Sequence, residues 1–482
     1  MIEVLSALAC LVVSLIVGMG ICVSFLRGGT QHWSYGYFLS ISFGIGIGIL
    51  SQAQLIWTVV GLNGNLRWSL DLALTGIAVA RIFQCRERLL PRKQNPNAGC
   101  SSPPPLHKAA YGWSIVVFAT SIYVALRQGY SLPYGTGDAV TNWYPKARFL
   151  FSSEPGQWRN LFSAHFPHWM HADYPLLLPL SLVRGWSYTG NITFIYPIAM
   201  HSANLAATFG LLYFTLNRTH GPVIAAMGLT LFSAMPGVYY FNSLQYADGF
   251  FMYYVLAITS LAVHDVSDSG KAYPGLMLLG MACGFASWTK NEGWLLMIAV
   301  CGAFALACAI RRRTAGDLKQ LTLGIATSAA MPLAYKLFYA PANDIINGST
   351  LFDPLTFSQL GSRIEFLLAR TPSAIFDFGF WYITPTSLII VGILSFNKIL
   401  PRLIVNAELF TILVITIFGY CTALLLVPQD YNYEWFVNFS LSRIYFQIFP
   451  SLILLAVLLG FSRNREGIWP AEISFRRRSS RL

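Results

Sequence analysis

Residues 4–26 read VLSALACLVVSLIVGMGICVSFL, an apolar run with no charge inside it, set between Glu3 and Arg27. A helix rises 1.5 Å per residue, so about 20 such residues cross the ~30 Å hydrocarbon core of a bilayer. The run is too long for the core of a cleavable signal, and an acid stands where a signal carries its basic start. It reads as a first membrane-spanning helix. The rest of the chain repeats the pattern. Of 482 residues, 55% are hydrophobic and 11% charged, whereas soluble domains carry about 25% charged residues. A chain this apolar has to satisfy its backbone inside helices. The expected fold is therefore all-α and polytopic.

Further apolar stretches fall at 36–60, 68–84, 111–126, 192–215, 222–241, 246–264, 274–289, 293–310, 319–339, 379–396, 408–427 and 443–461. With the first, they predict about thirteen transmembrane helices and termini on opposite sides of the membrane. Three regions follow. Residues 1–110 are N-terminal spans plus a linker, residues 111–462 are a membrane core with long loops at 127–191 and 340–378, and residues 463–482 are a basic tail. In the second long loop, TFSQLGSRIEFLLA (356–369) has spaced apolar residues that suit a small helix lying on the membrane surface.

Charge sets the orientation. Arg86, Arg88, Arg92, Lys93 and Lys108 crowd one loop, Arg311 to Arg313 form a run, and Arg476, Arg477, Arg478 and Arg481 mark the tail. Placing these on the cytoplasmic side puts roughly 20 of the 32 basic residues inside and leaves both long loops outside. The net charge of +12 is thereby explained by cytoplasmic loops, without a nucleic-acid partner. All eight cysteines fall in spans or on inside loops, so no outer disulfide is expected. GIGIGIL at 44–50 sits within a span and reads as a helix-packing surface. Asp71, His201 and Asn204 lie inside spans and are expected to bond to neighbouring helices.

Four polar motifs share the outer side. GDAVTNWYPKARF (137–149) carries Asp138, Trp143 and Lys146. HADYP (171–175) carries His171, Asp173 and Tyr174. QYADGFF (245–251) carries Asp248. WTKNEGW (288–294) carries Lys290 and Glu292. Each has a plain structural reading: Asp138 and Asp248 can cap helices, Lys146 can meet lipid headgroups, and Lys290 and Glu292 can close a turn. Their gathering on one face argues for a site at the outer interface, because carboxylates at membrane depth are costly unless paired or functional. Carboxylates with a lysine, and no serine–histidine pair or nucleotide loop, suit a lipid-linked substrate: a carboxylate takes a proton from an acceptor hydroxyl, and cations hold a departing phosphate.

Together these motifs resemble the GT-C class of membrane glycosyltransferases, in the bacterial branch of protein O-mannosyltransferases, aminoarabinose transferases and galacturonosyltransferases. The likeness covers about residues 110–460. It implies a GT-C fold and transfer of a sugar from a polyprenyl-phosphate donor to a glycan, lipid or protein acceptor, with inversion. It places the work at the extracytoplasmic face of a bacterial inner membrane. It implies Asp138 as the base. Trp143, His171, Asp173, Tyr174, Asp248 and Glu292 are implied as substrate contacts. Lys290, Lys146 and Arg443 of LSRIYFQIFP (441–450) are implied as donor-phosphate contacts. A divalent metal ion is left open as a cofactor. Two departures stand out: three spans precede the usual first one, and Ala139 follows Asp138 where protein O-mannosyltransferases show Asp-Glu. A flippase or transporter of lipid-linked glycans, or an O-antigen polymerase or ligase, is the alternative.

Overall fold

A computed structural model of the protein describes residues 1–25, 33–61, 69–89, 104–154, 156–162, 170–264, 275–310, 313–343, 358–376, 383–428 and 432–461. The tail at 463–482, Arg311 and Arg312, and most of the linker NPNAGCSSPPP lie outside them. The described residues are helical and contain no strand. In chain order the main helices are α1 (Ile2–Phe25), α2 (Tyr35–Val60), α3 (Ser69–Gln84), α4 (Pro105–Ser131), α5 (Tyr144–Ser152), α6 (Leu177–Thr189), α7 (Ile195–His220), α8 (Pro222–Ser233) and α9 (Pro236–Ser243). They continue with α10 (Asp248–His264), α11 (Gly275–Thr289), α12 (Glu292–Ala309), α13 (Ala315–Phe338), α14 (Leu360–Phe376), α15 (Ile383–Leu394), α16 (Phe396–Val405), α17 (Ala407–Leu425) and α18 (Tyr433–Gly460).

Among the described residues seven helices are long and apolar enough to cross a bilayer: α1, α2, α4, α12, α13, α17 and α18. The protein is membrane-embedded on this ground. A helix also stands in each remaining stretch read as a span; α8 and α9 meet the same standard only when taken together, and the others do not meet it. One differs in shape. The expected single span at 222–241 is broken into α8 and α9, which meet at 58°. Pro236 supplies the break: it cannot donate to the preceding turn and opens α9 as its first residue.

Burial explains the shorter helices. Every residue of α10 and of α11 is buried in protein. They are wrapped by α7, α13 and α18 and need not match the lipid thickness themselves. Small residues allow that close packing, since lipid tails compete with any larger apolar contact. A Cβ on Gly18 of α1 would lie 1.7 Å from the Ser42 carbonyl oxygen of α2, and one on Gly46 would lie 1.7 Å from that of Ser14. The GIGIGIL stretch is thus a packing surface, with α1 and α2 in backbone contact.

A buried ion pair fastens α6 to the N-terminal helices α1 and α3. Arg184 of α6 donates from Nε to Asp71 Oδ2 of α3 at 2.7 Å and from Nη1 to Ser14 Oγ of α1 at 2.8 Å. Tyr188 donates to the same Asp71 oxygen at 2.7 Å. Asn204 of α7 donates to the Gly249 carbonyl of α10 at 2.8 Å. Asp71 and Asn204 therefore bond to neighbouring helices, as their positions inside spans suggested, whereas His201 stands edge-on to Phe250 of α10 at 5.2 Å and its Nε2 has no hydrogen-bond partner among the described residues. The run after HADYP does not lie in a loose loop: Leu177 to Val183 are buried, and α6 packs on α1, α2 and α5. The amphipathic segment at 356–369 contributes α14, whose Leu367 packs with Leu424, Val437 and Leu441.

Candidate active site

The four motifs sit at helix junctions, and their local geometry follows from sequence. Gly135 and Gly137 after α4 have φ of +65° and +46°, left-handed values that suit glycine. Gly137 is doubly constrained, because a Cβ there would meet the Tyr246 hydroxyl at 2.2 Å. The turn delivers Asp138 at the head of a π-helical turn, Ala139–Trp143, which leads into α5. Asp248 opens α10, and Glu292 opens α12, where a carboxylate meets the positive end of the helix. Arg443 lies in α18, and Gln447, one turn on, shares its face.

These elements converge on one guanidinium. Arg443 Nη2 is 2.8 Å from Asp138 Oδ2 and 2.7 Å from Asp248 Oδ2. Its head also lies over the Tyr246 and Phe439 rings, at 4.9 and 5.1 Å. The two carboxylates differ sharply. The Asp248 side chain is 0% exposed and that of Asp138 is 29% exposed. Asp248 spends its second oxygen on Lys290 Nζ at 3.1 Å and on the Gln447 amide, which Tyr420 holds through a 2.7 Å hydrogen bond. Lys290 reaches Glu292 Oε1 at 2.8 Å. Burial works against the Lys290 charge, yet the Asp248 and Glu292 carboxylates outweigh it and hold its pKa above the usual lysine value.

HADYP forms the other wall. His171 adopts φ of +43°, and its carbonyl oxygen accepts from Lys146 Nζ at 2.5 Å. Lys146 is fully buried between the Trp143 and Tyr174 rings, 5.5 and 5.9 Å from their centroids. Asp173 is buried, and its Oδ2 accepts from Asn291 at 2.7 Å and Asn343 at 2.8 Å, with Lys336 Nζ at 3.7 Å. Tyr174 stands edge-on to Trp143 at 5.6 Å and to His171 at 5.5 Å. Burial, then the Glu292 and Asp173 charges, hold its phenol well above the usual range, so it stays protonated. Asn291, set between Lys290 and Glu292, links the two halves of the site through its bond to Asp173.

Direct contacts gather Asp138, Arg443, Asp248, Lys290 and Glu292 in one group and Trp143, Lys146, His171 and Tyr174 in another, with Asp173 of HADYP bonded to Asn291 between Lys290 and Glu292. Sequence reasoning missed Gln447, Lys336, Asn343 and Tyr420. Gln447 had a readable signal in its one-turn spacing from Arg443. The other three come from distant elements with no motif of their own.

The site is polar beyond its own pairings. Asn142 Oδ1, Trp143 Nε1, Asn291 Oδ1, Glu292 Oε2 and Arg443 Nε are buried without a hydrogen-bond partner among the described residues. Such atoms cost free energy unless a ligand or an ordered water meets them. No group of three or more metal-ligating side chains gathers among the described residues, and the oxygens of Asp138 and Asp248 face arginine and lysine donors. That donor set fits an anion competing for Arg443 and Lys290 better than a resident cation. No family model, curated protein or solved structure matches this chain.

Proposed function

We propose that this protein is a polytopic glycosyltransferase of the GT-C kind, with about thirteen spans, in the inner membrane of a bacterium. It moves a sugar from a polyprenyl-phosphate donor to a hydroxyl of a lipid, cell-envelope glycan or protein at the extracytoplasmic face. The observation that carries this reading is the sharing of Arg443 between an accessible and a buried carboxylate. A flippase has no need of a base beside a phosphate-binding cation. A transferase needs both within one side chain's reach.

The step balances as follows. The acceptor O–H gives its proton to Asp138 as its oxygen attacks the anomeric carbon, and the bond from that carbon to the phosphate oxygen breaks with inversion. The polyprenyl phosphate leaves with the electron pair, and Arg443 and Lys290 stabilise the charge it gains. Arg443 is paired with Asp138 before donor binds. A donor phosphate draws on the same guanidinium, which weakens that pair and leaves the Asp138 oxygen to the acceptor hydroxyl. Asp248 holds Arg443 and Lys290 in place and does not itself touch sugar, since three donors already occupy its oxygens. Lys146, buried under the HADYP turn, pins that turn in place. His171, Asp173, Tyr174, Trp143 and Glu292 line the sugar and acceptor side.

The reading is tested by incubating the purified protein with radiolabelled polyprenyl-phosphate sugars and a membrane-glycan extract. It expects transfer of label together with release of free polyprenyl phosphate. Movement of intact donor between liposome leaflets without release would favour the flippase.

A further inference from the structure

We infer, building on the glycosyltransferase reading, that Gln245 is a positioning residue: its side chain fixes the turn that carries Asp138, and so sets where the base stands beside Arg443. The backbone gives the first sign. Among the described residues two that are not glycine hold a left-handed φ, His171 at +43° and Gln245 at +59°. A Cβ makes that conformation costly, and it persists where the surrounding contacts impose it. His171 belongs to the HADYP wall. Gln245 opens QYADGFF, three residues before Asp248, and takes no part in the proposed transfer step. It is 1% exposed.

Its side chain grips the Asp138 segment. Gln245 Nε2 donates to the Leu132 carbonyl oxygen at 3.0 Å and to that of Pro133 at 3.2 Å. Backbone carbonyls can only accept, which fixes the amide with Nε2 towards them and Oε1 away. Oε1 can only accept in turn, and the Tyr144 hydroxyl donates to it. Leu132 and Pro133 precede Asp138, and Tyr144 follows it as the first residue of α5. One amide therefore holds the segment on both sides of the base. The residues flanking Gln245 form the seat of the same turn. A Cβ on Gly135 would lie 2.2 Å from the Leu244 carbonyl oxygen, and one on Gly137 would lie 2.2 Å from the Tyr246 hydroxyl. The Arg443 guanidinium lies over the Tyr246 ring at 4.9 Å. Gln245 thus joins the turn bearing Asp138 to the segment that leads into Asp248, and the two carboxylates meet at one Arg443 nitrogen. Methionine at 245 keeps the side-chain length and loses all three hydrogen bonds. Asp138 is then displaced, while Asp248 keeps Arg443, Lys290 and Gln447. The cations that hold the donor phosphate stay in place, and the base does not.

The experiment compares the native protein with Gln245→Met and Tyr144→Phe, each also combined with Asp138→Asn, on the radiolabelled polyprenyl-phosphate sugar that the native protein turns over best. It measures kcat and donor KM from release of polyprenyl phosphate, and reads donor binding separately from the ligand-induced rise in unfolding midpoint. Gln245→Met should lower kcat by about tenfold to a hundredfold, the cost of a reacting group displaced by about 1 Å. Donor KM and the midpoint rise should stay within about twofold of native, because the lost contact acts on the transition state and not on donor binding. Tyr144→Phe deletes one oxygen and leaves both carbonyl bonds, so it should show a smaller loss of the same kind. Combined with Asp138→Asn, neither substitution should lower kcat further, since no base is left to position. An unchanged kcat, a loss confined to donor KM, or an equal further loss in the Asp138→Asn background overturns this inference and leaves the transferase reading standing. If Gln245→Met does not fold, Tyr144→Phe decides by the same three criteria. If the native protein releases polyprenyl phosphate from no donor, the transferase reading fails and this inference goes with it.

Discussion

Asp138 and Asp248 share one guanidinium, yet replacing each with asparagine should have opposite consequences. Asp248 is fully buried and accepts from Arg443, Lys290 and Gln447. In Asp248→Asn, the new amide NH2 must face at least one of those donors. Breaking one side of a buried ion pair costs about 3–5 kcal/mol. Arg443 keeps Asp138 and Lys290 keeps Glu292, so the lower end, about 3 kcal/mol, is expected. Unfolding entropy of about 2 cal/mol/K per residue gives roughly 1 kcal/mol/K for this chain, hence a midpoint lowered by about 3 °C. Asp138 is partly exposed with one cationic partner, and its loss should cost no more than about 1 kcal/mol, or about 1 °C. Transfer tells the other half: without its base, Asp138→Asn should lose about 100- to 10,000-fold in rate. Tryptophan-fluorescence melting in detergent, run beside the radiolabel transfer assay, measures both. A stable Asp248→Asn protein, or an Asp138→Asn protein that melts earlier than Asp248→Asn, would refute the division of labour between the two carboxylates.

Gly137→Ala should place a methyl against the Tyr246 hydroxyl at a positive φ, costing about 1 kcal/mol or more and displacing Asp138; transfer should fall by about tenfold or more, while donor binding, read by thermal shift, is largely kept. Arg184→Met should strip Asp71 of its buried partner and lower stability by about 3–5 kcal/mol, and adding Asp71→Leu should recover most of that; a double variant no better than the single would argue against the pair as the fastening of α3. Lys290 has a raised pKa in the folded protein, so its contribution is fully present below the usual lysine value of 10.5 and is lost only as pH rises through the higher folded value. The melting gap between native protein and Lys290→Met should accordingly stay constant from pH 6 to about 10 and close above that; a gap that closes near neutrality would contradict the arrangement.

Much of this molecule was legible in the sequence because bilayer physics constrains composition tightly. A helix stands in each apolar stretch, since no other backbone survives in lipid. The convergence of the four motifs was legible too, because buried carboxylates and cations need one another, and sidedness narrowed their partners. What stayed hidden was relational. Pro236 broke a span that hydropathy alone reads as continuous, although a proline followed by glycine marks such a break. Asp71 gave no hint that its partner was Arg184, more than one hundred residues away, because burial of an ion pair depends on which helices meet. The motifs gave Asp138 the base and Asp248 a sugar contact, but nothing in either motif told how deeply each carboxylate is enclosed. Only geometry separates the accessible carboxylate from the one enclosed by three donors.

The central claim is that chemistry, and not passage, happens beside Arg443. The most direct test reconstitutes the protein in sealed liposomes with a polyprenyl-phosphate sugar labelled separately in sugar and lipid. The account predicts that the two labels part, with the lipid recovered as free polyprenyl phosphate and the sugar joined to acceptor or water, and that Asp138→Asn keeps them together. Labels that stay on one molecule as it changes leaflets, in native protein and variant alike, would contradict it.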